Sequence, residues 1–424
     1  MPFSSLGFSP ATLPALLRAI AEKGYLVPTA IQAAAIPAIL QGRDVVGSAQ
    51  TGSGKTAAFS LPMLQQLAES AAKTPRRTRG LILVPTRELA AQVGEAIVSF
   101  AKYLPHRVKV AVVFGGVSIN PQMMNLRGGA DIMVATPGRL LDLVERNALS
   151  LAAVSTLVLD EADRLLDLGF GEELGRILAL LPPKRQNLFF SATFPPAIEA
   201  LAASLLHTPL RIEVEATPEL EPDITQRAIE VDASRRTQLL RHLVQTEKWS
   251  RVLVFVATKH AAEIVADKLR KADIVAEPFH GELSQGKRTQ VLHDFKANAL
   301  QVVVATDVAA RGIDIVQLPV VVNYDLPRSA VDYTHRIGRT GRAGENGLAI
   351  SFVSAGTEAH FKLIEKRQRL SVPREQVAGF EPVEVQPPNA ADPSSNGGIK
   401  GKRPSKKDKL REAAARGLSP QQDK

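Results

Sequence analysis

Two short stretches carry residue types suited to work on phosphate. "AQTGSGKT", residues 49 to 56, sits between an apolar run and a helical pattern. Glycines there let backbone N–H groups converge on phosphate oxygens, and the helix N-terminus adds positive potential. On that reading Ala49, Gln50, Thr51, Gly52, Ser53 and Gly54 form the loop, Lys55 reaches the β- and γ-phosphates, and Thr56 ligates Mg²⁺. Ala49 stands where the strict pattern has glycine. The second stretch, "TLVLDEAD" at 156 to 163, runs an apolar strand into three carboxylates. Asp160 at the strand end can face a metal beside the loop, and Glu161 can orient or deprotonate a water. Taken alone, these acids also suit the start of the following helix through its dipole. The phosphate loop upstream, within one α/β unit, favours the metal–phosphate reading.

Two more constellations bear on the same chemistry. In "PTAIQ", Thr29 and Gln32 have capping-box spacing. Alternatively the Gln32 amide reads an adenine edge, with the ring of Phe8 or Tyr25 near the base. "HRIGRTGR", residues 335 to 342, holds four cations spaced by glycines. It is either a solvated loop or a source of arginine fingers. The first part of the chain has no comparable Arg-Gly run, so Arg339 and Arg342 are expected to be supplied by a second domain on closure.

The elements that must position these residues follow from periodicity. The 424 residues exceed one hydrophobic core and predict two domains. Short β-branched runs ("DVVGSA", "GLILVP", "RVKVAVVF", "DIMVAT", "STLVLD", "NLFFSA") alternate with helical patterns, as βαβ units require. Ser9 and Pro10 read as the N-cap and first residue of a helix that Gly24 stops. The alternation pauses in a segment rich in proline and acids, then resumes with "RVLVFVAT", "IVAEPF", "LQVVVAT" and "LPVVVNY". Expected boundaries are 1–210 for the first α/β domain, 211–226 for a linker, 227–371 for the second domain and 372–424 for a disordered basic tail.

Composition narrows the partners. There is no cysteine, which excludes disulfides, thiolate-bound zinc and a cysteine nucleophile. No window approaches the roughly 18 apolar residues of a membrane span, and the N-terminus lacks a basic-then-apolar signal, so a cytoplasmic location without membrane contact is expected. Net charge is +9, of which residues 399–424 supply +6. Such a tail is expected to raise affinity for a polyanion, without sequence preference and with steep salt dependence.

Taken together, the ordered motifs resemble the DEAD-box ATP-dependent RNA helicases from about Phe8 to residue 370. "GYLVPTAIQ" resembles the Q motif, "AQTGSGKT" motif I, "PTRELA" Ia, the Gly115–Gly116 doublet GG, "TPGR" Ib, "DEAD" II, "SAT" III, "VFVATK" IV, "ATDVAARGID" V and "HRIGRTGR" VI. Within the family, "VVFGGVSINPQMMNLRGG" and "KRQNLFFSATF" most resemble the bacterial RhlE-type branch. The resemblance implies two tandem RecA-like α/β domains of parallel sheets flanked by helices, ATP as substrate, Mg²⁺, and an RNA partner. Gln32 then reads as an adenine contact, and Gly312 and Asp314 as second-domain nucleotide contacts. Ser191 and Thr193 would couple nucleotide to RNA, and His335 would meet motif II or III in the closed state.

For RNA the resemblance implies backbone contacts from Pro85, Thr86, Arg87, Gly115, Gly116, Thr136, Pro137, Gly138 and Arg139, then Thr258, Gly281, Gln285, Arg288, Thr306 and Asp307, with little base readout. The implied activity is RNA-stimulated ATP hydrolysis coupled to remodelling of short duplexes by a monomeric core. Ribosome precursors or RNA-decay machinery would be partners. An ATP-gated RNA clamp is the alternative that the same residues serve.

Overall fold

The computed structural model describes residues 2–49, 52–70, 75–214, 224–310, 318–341 and 346–384. Gln50, Thr51, Gly312, Asp314, Arg342 and the segment 385–424 lie outside the described residues. In chain order the first unit comprises α1 (Leu13–Glu22), α2 (Ala30–Leu40), β1 (Val45–Ser48), α3 (Lys55–Glu69), β2 (Gly80–Leu83), α4 (Arg87–Phe100), β3 (Val110–Val113), α5 (Asn120–Asn125), β4 (Ile132–Ala135), α6 (Pro137–Glu145), β5 (Thr156–Asp160), α7 (Ala162–Asp167), α8 (Gly171–Ala179), β6 (Gln186–Ser191), α9 (Pro196–Leu205) and β7 (Leu210–Glu213). The second comprises β8 (Ile224–Glu230), α10 (Arg236–Thr246), β9 (Val252–Val256), α11 (Lys259–Arg270), β10 (Ala276–Phe279), α12 (Gln285–Lys296), β11 (Val302–Thr306), α13 (Asp307–Ala310), β12 (Val320–Asn323), α14 (Ala330–Ile337), β13 (Gly347–Val353), α15 (Glu358–Gln368) and β14 (Arg374–Glu375).

Each unit is a parallel sheet of seven strands, in the orders β3-β4-β2-β5-β6-β1-β7 and β10-β11-β9-β12-β13-β8-β14. Subtracting seven from the second order reproduces the first, so the chain repeats one topology without a visible sequence repeat. Strands such as "GLIL" and "VLVFV" are buried along their whole length, as parallel strands covered by helices on both faces must be. In the first sheet β1 lies between β6 and β7, with Ser48 opposite Ser191, and Asp160 lies opposite Phe190. The carboxyl ends of β1, β6 and β5 are therefore neighbours, and the crevice beyond such ends is where open α/β sheets bind ligands.

Several boundaries depart from expectation. The first helix begins at Leu13 rather than Pro10; Ser9 instead accepts turn bonds from the N–H groups of Thr12 and Leu13. Its end is as expected. Gly24 has φ +72°, and the N–H groups of Gly24 and Tyr25 return to the carbonyls of Ala21 and Ile20. The expected linker 211–226 is trimmed from both sides, because β7 pairs with β1 and β8 pairs with β13. The expected disorder from 372 is likewise overturned for residues 372–384. Val372 is buried, Arg374 forms ion pairs with Glu358 and Glu365, and the Asp232 carboxylate accepts the N–H groups of Val383 and Glu384.

Candidate nucleotide and nucleic-acid sites between the two domains

The loop after β1 turns into α3 through Gly54, whose φ is +93°. A Cβ there would sit 2.3 Å from Gln32 Nε2 and 3.0 Å from Thr29 Oγ1, so both backbone and contact require glycine. The contact is made by α2. Gln32, buried, accepts the Thr29 N–H at 3.0 Å through Oε1 and donates from Nε2 to the Gly54 carbonyl at 3.1 Å, while Thr29 Oγ1 donates to the Ser53 carbonyl at 2.7 Å. The capping-box reading of "PTAIQ" and its loop-side role are thus one arrangement. Among the described residues each end of the Gln32 amide makes one hydrogen bond and has capacity for another, which matches an adenine N6 donor and N7 acceptor. Lys55 is buried, its Nζ donating to the Ala49 carbonyl at 2.6 Å. Thr56 is half-buried in the first turn of α3. Of the two aromatic candidates, Phe8 lies buried in the core cluster that includes Ile31 and Phe59. Tyr25 is 41 % exposed and lies against Phe100, ring centroids 6.4 Å apart.

Beside Lys55 stands the carboxylate cluster. Burial pushes the Asp160 carboxyl up to about 7; Lys55 pulls it partly back and Glu161 adds to the rise. Glu161 holds φ +51°, an uncommon conformation for a non-glycine residue and one that clusters at functional sites. The role of Asp163 was not anticipated. Its Oδ2 accepts from Thr193 N (3.1 Å) and Oγ1 (2.7 Å), its N–H donates to Ser191 Oγ at 3.2 Å, and the Ser191 carbonyl accepts the Ala49 N–H at 3.1 Å. The Ser-Ala-Thr strand end thereby joins the carboxylate turn to the phosphate-type loop. Among the described residues no group of three or more acidic or imidazole ligands could cage a metal. One carboxylate and one hydroxyl suit Mg²⁺, which keeps waters and takes phosphate oxygens as its other ligands.

The raised Asp160 pKa yields a stability prediction for the metal-free protein. Below about pH 4 both folded and unfolded states hold the proton and no penalty exists. As pH rises, only the folded state keeps it, so stability falls until about 7, where the penalty levels at roughly 4 kcal/mol. Asp160→Asn is therefore expected to raise the thermal midpoint at pH 8 in EDTA, with the gain vanishing towards pH 4. Thermal melts across that range check it.

The second domain supplies the opposite wall. Glu161, Asp163 and Arg164 share a narrow cavity of about 30 Å³ with Asp332, His335, Arg336 and Arg339. Arg339 is buried, and His335 Nδ1 is a buried atom with no hydrogen-bond partner among the described residues. Arg164 reaches Asp332 across the boundary at 3.5 Å. Arg336, which sequence reasoning passed over, anchors this wall: it holds Asp307 by two bonds of 2.6 and 2.7 Å and also reaches Asn323 and the Asp325 carbonyl. The Asp307 carboxylate is thus bound to Arg336 within the domain while lining the same cavity.

A second interdomain cavity, about 330 Å³, gathers much of the expected RNA set: Pro85, Thr86, Arg87, Gly115, Thr136, Gly138 and Arg139 from the first domain, with Gly281 and Arg288 from the second. Helix N-termini point the positive ends of their dipoles here. Thr86 caps α4 and Thr136 stands at the N-cap position of α6, both lining this cavity; Pro137, which opens α6, and Ser284 and Gln285, which cap and open α12, do not line it. Gly116 is exposed and lies against the Arg87 guanidinium. Thr258, exposed, caps α11, and Thr306 ends β11 half-buried; neither lines this cavity. Arg139 is buried and donates to the Val117 carbonyl at 2.7 Å. Arg288 is 3 % exposed, with Nε on Glu88 at 2.8 Å and Nη1 on the His280 carbonyl at 3.0 Å. Its guanidinium bridges the domains instead of standing open. Glu88, two hundred residues away in sequence, had no signal that could pair it with Arg288.

Comparison with known proteins agrees with this architecture. A DEAD/DEAH box helicase family model matches residues 29–201, and a helicase conserved C-terminal domain model matches 235–344. The chain is 44 % identical over 373 residues to the Mycobacterium tuberculosis ATP-dependent RNA helicase DeaD, covering 88 % of this chain and 65 % of that protein. It is 45 % identical over 350 residues to the Escherichia coli ATP-dependent RNA helicase DbpA, covering 82 % and 75 %. The chain thus spans about two-thirds of the mycobacterial relative's length. Among solved structures, Saccharomyces cerevisiae Dbp5 bound to RNA and ADP BeF3 matches with a TM-score of 0.77 at 31 % identity, covering 88 % of this chain and 95 % of that one. A DEAD box protein from Methanococcus jannaschii matches at 0.51 and 36 % identity, covering 88 % and 99 %. With the ordered motifs on two sheets of one topology and both family models matched, the chain belongs to the DEAD-box family.

Proposed function

We propose that the protein is an ATP-dependent RNA helicase, which couples RNA-stimulated ATP hydrolysis to separation or remodelling of short RNA duplexes. The observation that carries this reading is the apposition of Glu161 and Asp163 with His335 and Arg339 across one narrow cavity. An ATPase assembled from two domains turns over only when they meet, and the neighbouring cavity ties their meeting to a second ligand. Thr86 and Arg87 at the start of α4 and Thr136 and Gly138 at the start of α6 line it, a geometry that suits a phosphodiester backbone.

In this mechanism Gln32 and Tyr25 receive the adenine end, and the loop N–H groups with Lys55 hold the phosphates. Thr56 and Asp160 would hold Mg²⁺, which neutralises phosphate charge when bound. Glu161 orients the attacking water and takes its proton. Arg339, together with Arg342, stabilises charge on the transferring phosphoryl group, so rate comes from electrostatic positioning that closure completes. Asp163, bonded to Ser191 and Thr193, transmits the state of the nucleotide site to the RNA face. Gly312 and Asp314 are assigned to the nucleotide by the motif resemblance alone, as is the RhlE-type branch. Ribosome precursors or RNA-decay complexes are the proposed physiological partners.

Steady-state ATP hydrolysis with and without single-stranded RNA tests the reading. Stimulation of tenfold or more is expected, together with multiple-turnover separation of a short duplex. Hydrolysis indifferent to RNA would overturn it, and a long-lived RNA complex without strand release would replace it with the clamp.

A further inference from the structure

The first domain carries a strongly basic concavity at the end of its sheet opposite the cleft. Where β2, β4 and β5 begin, a cavity of about 590 Å³ is walled by Arg76, Arg77 and Arg127, with Thr78 and Ser150, and by no carboxylate. Asp131, the nearby acid, is already committed: it accepts from Arg76 Nε at 3.1 Å, approaches Arg79 at 3.9 Å and accepts the Lys109 N–H at 2.9 Å. Lys109 Nζ donates to the carbonyls of Asn125 and Arg127. Arg77 and Arg127 are exposed, and their guanidinium groups have no hydrogen bond or ion pair among the described residues.

The two segments bearing these arginines are locked together. Gly128 and Gly129 have φ of +79° and +78°, and a Cβ on Gly129 would sit 2.1 Å from the Arg76 carbonyl oxygen. The glycine pair therefore brings "LRGG" against "PRRT" with the cations on one rim. Guanidinium groups lining one concavity repel one another unless an anion joins them, and the planar fork of arginine matches phosphate oxygens two at a time. No aromatic ring lines the cavity, so bases have nothing to stack on.

We propose that this concavity is a second RNA-binding site, which grips the phosphodiester backbone of a structured segment flanking the strand held in the interdomain cleft. The inference rests on the helicase reading for its choice of RNA over another polyanion. The strands between the two ends are only four or five residues, about 15 Å, long, so one folded RNA can engage both sites. An RNA with a helical flank is held more tightly than the same single strand alone. The site sits outside the catalytic cleft and raises substrate affinity without entering the chemistry.

The test uses the full chain and its Arg77→Glu/Arg127→Glu variant, with two RNAs: a short unstructured oligonucleotide, and the same oligonucleotide joined to a hairpin. For the hairpin RNA, the variant is expected to bind roughly tenfold more weakly, with a salt slope lower by about two. ATPase kcat and KM with the unstructured oligonucleotide are expected to be unchanged, as is the thermal midpoint, since both side chains are exposed. Equal hairpin affinity and equal salt slope in the two proteins would overturn the proposal. So would loss of binding to polyglutamate without loss of hairpin binding, which would assign the surface to an acidic protein partner. Failure of the helicase reading appears separately, as absence of stimulation of the unaltered protein by the unstructured oligonucleotide.

Discussion

Glu161→Gln is expected to lower the RNA-stimulated kcat by about 10²–10⁴-fold while leaving ATP binding nearly intact. The amide keeps the size and one acceptor of the carboxylate but cannot take a proton. Its surroundings make the substitution a clean probe. Glu161 is half-buried, lies at the start of α7 and carries none of the bonds that tie Asp163 to Ser191 and Thr193. Coupling between nucleotide and RNA should therefore survive. The variant should retain ATP-dependent RNA binding and accumulate the ATP-bound complex. Single-turnover hydrolysis beside RNA binding in ATP separates the two effects; a variant hydrolysing within threefold of the parent would remove Glu161 from the chemistry.

The second large effect lies away from the phosphates. Glu88→Ala is expected to raise the RNA concentration needed for half-maximal ATPase by on the order of 10²-fold. Glu88 and Arg288 are 6 % and 3 % exposed and meet at 2.8 Å across the domain boundary. Breaking a buried pair by deleting one partner costs about 3–5 kcal/mol, since the remaining charge stays desolvated. The pair joins α4 of one domain to α12 of the other, and Arg288 keeps the His280 carbonyl within its own domain. The cost therefore falls on the joined state, where it opposes closure. Fluorescence transfer between the domains should show fewer closed molecules at equal RNA, with an unchanged thermal midpoint. An unchanged RNA requirement, or a lowered midpoint with normal closure, would show the pair to be a folding contact instead.

Much of the fold was legible because parallel strands leave a strong pattern. Runs such as "LVLD" and "VVVAT" are apolar on both faces and bounded by turns, and every strand expected from such a run is present. Of the four strands not foreseen, two have a mixed pattern. β7 and β8, "LRIE" and "ITQRAIE", expose residues at or near the sheet margin and read as linker; β13 follows "HRIGRTGR", and β14 is two residues long. Disorder was placed too early for a similar reason. The segment from Val372 is rich in Pro and charge, yet Arg374 finds two carboxylates on α15 that composition cannot reveal.

By itself the sequence determined the parts acting locally: the phosphate-type loop, the carboxylates at the end of β5, the capping-box pair Thr29 and Gln32, and the existence of two α/β units. These follow from backbone conformation and residue chemistry within a few positions. Only the tertiary structure decided which groups meet. It packed Phe8 into the core cluster of the first domain, gave the Asp307 carboxylate to Arg336, and made Asp163 the bridge to Ser191 and Thr193. It also set Glu88 on Arg288 and gathered arginines beside a pair of glycines. Contacts between residues tens to hundreds of positions apart depend on strand order and sheet register, which local spacing does not encode.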